Sequence, residues 1–135
     1  IVEKRRAVGD TNKAVFDATG YVMHALRPPG GHNDYDVNRV AREAGMAVVL
    51  WSQSGNVNEY DPQKIAQNVE KQIVDGRELR DGDIVLLHDT KAHMVDAVKI
   101  IVPRLLREGY QLVTVWELLN CSEGGFVPGE LYRRR

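Results

Sequence analysis

Apolar residues along this chain follow two alternating rhythms, a helical spacing and short unbroken runs. From Glu3 to Thr19, Ala7, Ala14, Val15 and Ala18 recur at helical spacing, and Gly20 stands where a C-cap would. A short apolar run, Val22 to Leu26, reads as a strand and leads into Arg27-Pro28-Pro29-Gly30-Gly31. Two prolines and two glycines in succession exclude helix and ladder alike, so this is a shaped loop. Asp34 to Ala44 reads as a helix with Val37, Val40, Ala41 and Ala44 on one side, closed by Gly45. Met46 to Trp51 is continuously apolar, the pattern of a strand buried on both faces.

Ser52 to Asp61 is polar loop, and Pro62 is placed to open a helix whose inward stripe is Ile65, Val69 and Ile73. Asp81-Gly82-Asp83 is a turn feeding a second doubly buried strand, Ile84 to His88. Helical spacing returns from Ala92 to Glu108 through Val95, Val98, Ile101, Leu105 and Leu106, with Pro103 marking a kink or a fresh start. Gly109 ends that helix, Tyr110 to Val115 reads as a fourth strand, and Trp116 to Leu119 as a short helical turn. Beyond Asn120 the pattern predicts a tail that wraps or frays. Alternating helices and strands imply α/β architecture with parallel strands and right-handed crossovers. An open doubly wound sheet and part of a (β/α) barrel both fit. Four strands cannot close a barrel, which needs about eight, so barrel material would require a complementary half over its two open edges.

Composition narrows the partners. At 135 residues and 15.2 kDa the chain is one domain's worth, or half of a larger one. With 43% hydrophobic and 27% charged residues it has the make-up of a soluble globular protein. Lys plus Arg (18) against Asp plus Glu (19) leaves a charge of −1, so neither nucleic acid nor an anionic membrane is an expected partner. Arg133, Arg134 and Arg135 read as a solvated end. The single cysteine, Cys121, excludes an internal disulfide framework and an all-cysteine metal site. The apolar runs are too short to span a bilayer, and no glycine-rich phosphate loop is present. Opening on Ile1 rather than Met suggests a processed or trimmed polypeptide.

Candidate chemistry gathers where the predicted strands end, because loops converge at the carboxyl edge of parallel sheets. Those ends carry Arg27, then Trp51-Ser52, then His88-Asp89, then Thr114 to Trp116. The plain readings are a strand-capping histidine for His88 and a loop ion pair for Arg27. Their recurrence on one rim beside a stiff proline–glycine loop favours function.

Three segments, Arg27-Pro28-Pro29-Gly30-Gly31, Val49-Leu50-Trp51-Ser52 and Ile84-Val85-Leu86-Leu87-His88-Asp89, with the trailing Glu108-Gly109-Tyr110-Gln111-Leu112-Val113-Thr114 and Glu117-Leu118-Leu119, resemble the later motifs of the polysaccharide deacetylases. This is the NodB-homology family of carbohydrate esterases, and the resemblance covers roughly residues 1–120, leaving 121–135 as a C-terminal tail. It implies a distorted (β/α) barrel acting on N- or O-acetylated sugars of peptidoglycan, chitin oligomers or xylan, outside the cell or at its surface. It also implies a divalent metal, zinc or alternatively cobalt or nickel, bound by an aspartate and two histidines. By resemblance, His88 is the general acid and Arg27 holds the catalytic aspartate. The Gly30 N–H helps bind the oxyanion, and Pro29, Trp51 and Leu86 line the substrate site.

The earlier motifs of the family, which would supply the base and the metal ligands, are absent. The four histidines, His24, His32, His88 and His93, contain no ligand pair at helical spacing, although His32, following the shaped loop, is the best exception. The resemblance therefore implies the carboxyl-terminal half of a barrel whose missing amino-terminal half, with the metal, is a second polypeptide or cleaved fragment. The family's aspartate-containing motif after Trp51 is also eroded. Without gaps its aspartates become Ser54 and Val57 and its tryptophan Asn58; with an insertion Glu59 or Asp61 substitutes, and Tyr60 serves as the pocket aromatic. A non-catalytic carbohydrate-binding relative, and an unrelated α/β binding domain, remain the alternatives.

Overall fold

The computed structural model describes residues 1–55, 58–71, 78–120 and 125–135. They form two compact units, Ile1–Leu50 with Trp116–Tyr132, and Trp51–Val115 with Arg133–Arg135.

In the first unit, helix α1 (Val2–Thr19) is stopped by Gly20, whose φ of 72° only a residue without Cβ adopts cheaply and whose N–H donates to Phe16 O. Strand β1 (Ala25–Leu26) is followed by a one-turn 3-10 segment, Pro29–Gly31. Helix α2 (Tyr35–Glu43) begins under the Asp34 carboxylate, which accepts the Val37 N–H at 2.8 Å. Strand β2 (Ala47–Val49) pairs in parallel with β1, Ala25 opposite Ala47 and Leu26 opposite Val48. Ala41, Met46 and Val48 form the buried centre, with Val8, Met23, Leu26, Val37 and Leu131 packed around it.

The expected inward face of α1 is corrected. Ala7, Ala14 and Ala18 are exposed, Val8 makes the core contact, and no residue of α1 is fully buried. Exposed ion pairs also link this helix to α2 and its cap: Lys4 to Asp34 at 2.6 Å, and Arg5 to Glu43 at 2.6 and 2.9 Å. The tail is part of the sheet. Its residues Leu131–Tyr132 pair in parallel with Val48 and Val49 on the side of β2 away from β1.

In the second unit, strand β3 (Gln53–Ser54) pairs in parallel with β4 (Val85–Leu86). Helices α3 (Pro62–Lys71) and α4 (Ala92–Arg107) bury Ile65, Ala66, Val69, Met94, Ala97, Ile101 and Leu105 in one cluster. Ile65 and Val69 thus face inward as their spacing requires; Ile73 lies outside the described residues, as do Val57 and Cys121. The stripe of α4 is shifted from expectation. Met94, Ala97, Ile101 and Leu105, at successive steps of three, four and four, form the buried stripe, with Val98 at its margin and Val95 and Leu106 well off it, all three exposed. The helix runs unbroken through Pro103, an exposed position where the carbonyl that loses its donor can turn to water.

Two predicted strands differ. Tyr110–Val115 is irregular up to Thr114, with Leu112 and Val113 exposed, since no described strand pairs with it. The run from Ile84 to His88 is not doubly buried: Ile84 is buried, Val85 exposed, and Leu86 to His88 half-buried. The remaining helix, α5 (Val115–Asn120), buries Leu119, and the final strand of the chain, Leu131–Tyr132, is β5.

Candidate active site

In the first unit, β1 delivers Arg27 to its carboxyl end, where the guanidinium is exposed and makes no hydrogen bond or ion pair among the described residues. Pro28 is buried and the following turn is closed by Gly31 N–H to Pro28 O at 3.1 Å and His32 N–H to Pro29 O at 3.3 Å. Gly30 adopts φ 63°, and a Cβ there would stand 2.9 Å from His32 Cδ2. The imidazole of His32 therefore lies over the glycine, which only a residue without a side chain accommodates at ease. The Gly30 N–H is not used by any described residue, so the turn presents one unspent donor beside Pro29. Arg27, Pro28 and Pro29 also border an apolar groove of about 440 Å³ that continues along Val8, Leu26 and Met46.

In the second unit the register of β3 and β4 sets the faces. Leu87 packs into the α3–α4 cluster, so Leu86, its neighbour along the strand, points to the opposite face, the one it shares with its partner Ser54. His88 follows at the carboxyl end of β4, half-buried, with its carbonyl accepting the Lys91 N–H at 3.3 Å. Its imidazole has no partner among the described residues.

Trp51 and Ser52 are placed differently from expectation. Strand β3 begins only after them, and the Ser52 N–H donates to Ile84 O at 3.0 Å, so they sit at the amino end of β4. There the Ser52 hydroxyl donates to Asp83 at 2.8 Å and accepts the Ile84 N–H at 3.1 Å.

Neither carboxylate of the following loop is at leisure. Glu59 accepts the N–H groups of Tyr60 and Asp61 at 2.9 and 3.0 Å, and Asp61 accepts the Gln63 N–H at 2.9 Å, at the entrance to α3. Those backbone donors, Asp61's first, hold the Glu59 carboxyl below the usual range. Tyr60 lies 4.9 Å from His93, ring centre to ring centre.

Trp116 is also corrected. It does not close a fourth strand but stacks on His24 at the amino end of β1, with a ring separation of 4.5 Å, in the first unit. The residues of this group, Tyr21, His24, Trp116 and Phe126, come from three stretches separated in sequence, and no local pattern announces their meeting. Among the described residues no three His, Cys, Asp or Glu side chains are grouped to hold a metal ion.

No family model matches the chain. It is 41% identical over 100 residues to a peptidoglycan-N-acetylglucosamine deacetylase of Bacillus cereus, covering 70% of this chain and 45% of that protein. It is 32% identical over 121 residues to the peptidoglycan-N-acetylmuramic acid deacetylase PdaC of Bacillus subtilis, covering 87% of this chain and 24% of the relative. Among solved structures, a T48 deacetylase with substrate superposes with a TM-score of 0.76 at 30% identity, over 90% of this chain and 56% of that one. The chain thus spans half or less of the curated relatives it matches.

Proposed function

This chain belongs to the polysaccharide deacetylase family of carbohydrate esterases, and from that premise we propose that it forms the carboxyl-terminal half of a sugar deacetylase barrel. The observation that carries the reading is the placement of its two matched motifs. Arg27-Pro28-Pro29-Gly30 and Leu86-Leu87-His88 each follow a parallel strand at its carboxyl end, within their own units.

The proposed reaction is hydrolysis of an acetyl group on a cell-wall or related polysaccharide, outside the cell or at its surface. Peptidoglycan is favoured by the names of the relatives, with chitin oligomers and xylan as the other substrates of the same chemistry. Water adds to the acetyl carbonyl, and the tetrahedral intermediate collapses as His88 donates a proton to the leaving nitrogen or oxygen, releasing acetate. The unspent Gly30 N–H is suited to receive the oxyanion, and the unpaired Arg27 to orient the carboxylate base by charge-assisted hydrogen bonds. Leu86 and Pro29 supply apolar surface for the acetyl methyl and the sugar, whereas Trp51, at the amino end of β4, is left out of this lining.

The family's divalent metal, zinc or alternatively cobalt or nickel, does not fit the residues described, and we assign it with the base to a companion polypeptide or fragment. Exposed apolar edges support a companion. Among the described residues β1 pairs on one side only, an apolar groove adjoins it, and in the other unit Leu112, Val113 and Val85 are exposed.

The test is acetate release by the complete protein from acetylated peptidoglycan fragments, chitin oligomers and xylan. His88→Ala is expected to lower kcat by about 10²–10⁴-fold with little change in KM. Equal rates for parent and variant would refute the assignment. The engagement of Glu59 and Asp61 at the α3 entrance favours a second reading, a non-catalytic glycan binder. Absence of turnover on every substrate, with binding retained, would select it.

A further inference from the structure

In the first unit four rings from three separate stretches of chain meet at the amino end of β1. His24 stacks on Trp116 with centres 4.5 Å apart and planes 30° from parallel. Tyr21 meets His24 edge-on at 5.8 Å, and Phe126 approaches Trp116 at 5.5 Å and His24 at 6.4 Å. The group is packed, yet it is not a core: Tyr21 is 51% exposed and Trp116 42%.

Each contributing stretch is pinned. Tyr21 N–H donates to Thr19 Oγ1 at 3.1 Å and Met23 N–H to Asn12 Oδ1 at 3.2 Å, fixing the loop after the Gly20 cap. Asn120 Nδ2 donates to Trp116 O at 2.8 Å. The tail is held by Val127 N–H to the Tyr132 hydroxyl at 2.9 Å and Gly129 N–H to Met46 O at 2.8 Å. A rigid ring plate binds with little further loss of side-chain freedom.

The polar tips decide what such a plate suits. Buried Tyr and Trp normally spend their O–H and N–H groups on the protein. Here the Tyr21 hydroxyl, the His24 ring nitrogens and the Trp116 Nε1–H have no partner among the described residues. An aliphatic protein face would leave all three unpaired on burial, at a cost for each. A pyranose ring presents C–H bonds on one face, whose partial positive charge complements the negative face of an indole or phenol ring. Its equatorial hydroxyls lie around the edge, where these tips could pair with them.

We infer that Tyr21, His24 and Trp116 form a glycan-binding platform that takes a pyranose unit of a polysaccharide. Arg27 lies at the other end of β1, so the platform holds a stretch of polymer rather than the acetyl group that is cleaved. This rests on the deacetylase reading for the class of polymer, and on the rings and their tips for the site.

The test measures retention of the complete protein on insoluble chitin, and in parallel its turnover of a small aryl acetate, which presents no sugar ring to the platform. Trp116→Ala and Tyr21→Ala are each expected to weaken chitin retention at least tenfold, with aryl acetate turnover within twofold of the parent. Trp116→Phe, which keeps a ring face, should stay within threefold. Tyr35→Ala, at an exposed tyrosine outside the group, should change nothing. If Trp116→Ala fails to fold, as judged by circular dichroism, Tyr21→Ala decides. Unchanged chitin retention in a folded Tyr21→Ala variant overturns the platform. So does loss of retention accompanied by loss of association with a companion polypeptide, which would make the plate a protein contact. If neither the aryl acetate nor acetylated glycan is ever turned over but retention still depends on Tyr21 and Trp116, the platform stands and the deacetylase reading falls.

Discussion

Gly55 and Ile65 should be energetically coupled, and the coupling can be worked out from the packing of the second unit. Ile65 is fully buried against Val69, Met94, Ala97 and Ile101. Ile65→Ala removes three buried carbons, about 2.4 kcal/mol of transfer free energy at about 0.8 kcal/mol per CH₂. The incompletely collapsed cavity raises the expected loss to about 3–4 kcal/mol, and alanine's better helix propensity returns roughly 0.5 kcal/mol at most. Gly55→Ala acts in the opposite sense. A Cβ there would stand 2.8 Å from Ile65 Cγ2 and 2.8 Å from Leu87 Cδ2, so both side chains must move, an overpacking cost of about 1–3 kcal/mol. With Ile65 already truncated, the first of those clashes is gone and the new methyl enters the vacated space. The double variant should therefore be more stable than the sum of the singles by about 1–1.5 kcal/mol.

Urea unfolding of the complete protein, analysed as a double-mutant cycle, measures this term. Additivity within about 0.5 kcal/mol would refute the packing argument. A second readout tests the role proposed for His88. Leu87 precedes it, so under that proposal the Gly55→Ala single variant, which pushes on Leu87 with Ile65 still in place, should lose more kcat than the double variant does.

Two further outcomes follow from the first unit. The Arg5 hydrogen bond, then that of Arg39, holds the Glu43 carboxyl down to about 2 from an ordinary 4.5. A depressed carboxylate contributes stability that is present above its unfolded pKa and lost as pH falls, here from 4.5 through about 2. Melting temperatures of the parent and Glu43→Gln should thus differ at neutral pH and converge across that window; a constant gap down to pH 2 would show that the pair contributes nothing through ionisation. Gly129→Ala should destabilise by about 2–4 kcal/mol, combining a left-handed backbone penalty with overpacking. Its φ is 81°, and its Cβ would meet Asn38 O at 2.8 Å and Arg42 Cβ at 2.7 Å. Urea midpoints check this, and a loss under 1 kcal/mol would mean that the tail does not seat against α2 as described.

Punctuation made the helices legible. Gly20, Gly45 and Gly109 all take positive φ where the sequence pattern ends a helix, and Asp34 caps α2 through its own side chain. These are local devices, so local reading finds them. What escaped depends on partners remote in sequence. The tail pairs with β2 through Leu131 and Tyr132, a parallel contact for which neither segment carries a signal. Trp51 and Ser52 looked like a strand end because their apolar run stops, yet backbone pairing carries the chain on to Ser54. At the candidate site the motif residues were readable by type and order. The occupation of Glu59 and Asp61 by backbone amides was not, because a carboxylate near a motif looks the same whether it is spent or available.

The disagreements between pattern and burial have a common direction. Ile84 to His88 has the unbroken apolar composition of a strand covered on both faces, and Leu112 and Val113 that of another, yet Val85, Leu112 and Val113 meet solvent. A solvent-facing edge that had evolved bare would carry lysine, threonine or a bulge at such positions, since unprotected apolar edges recruit other strands. In the first unit, β1 has an edge that no described strand pairs with, beside a groove walled by Val8, Leu26 and Met46. Each unit thus retains apolar residues at surfaces where the described structure offers no cover. The companion proposed above would cover those surfaces and explain the composition and the exposure together.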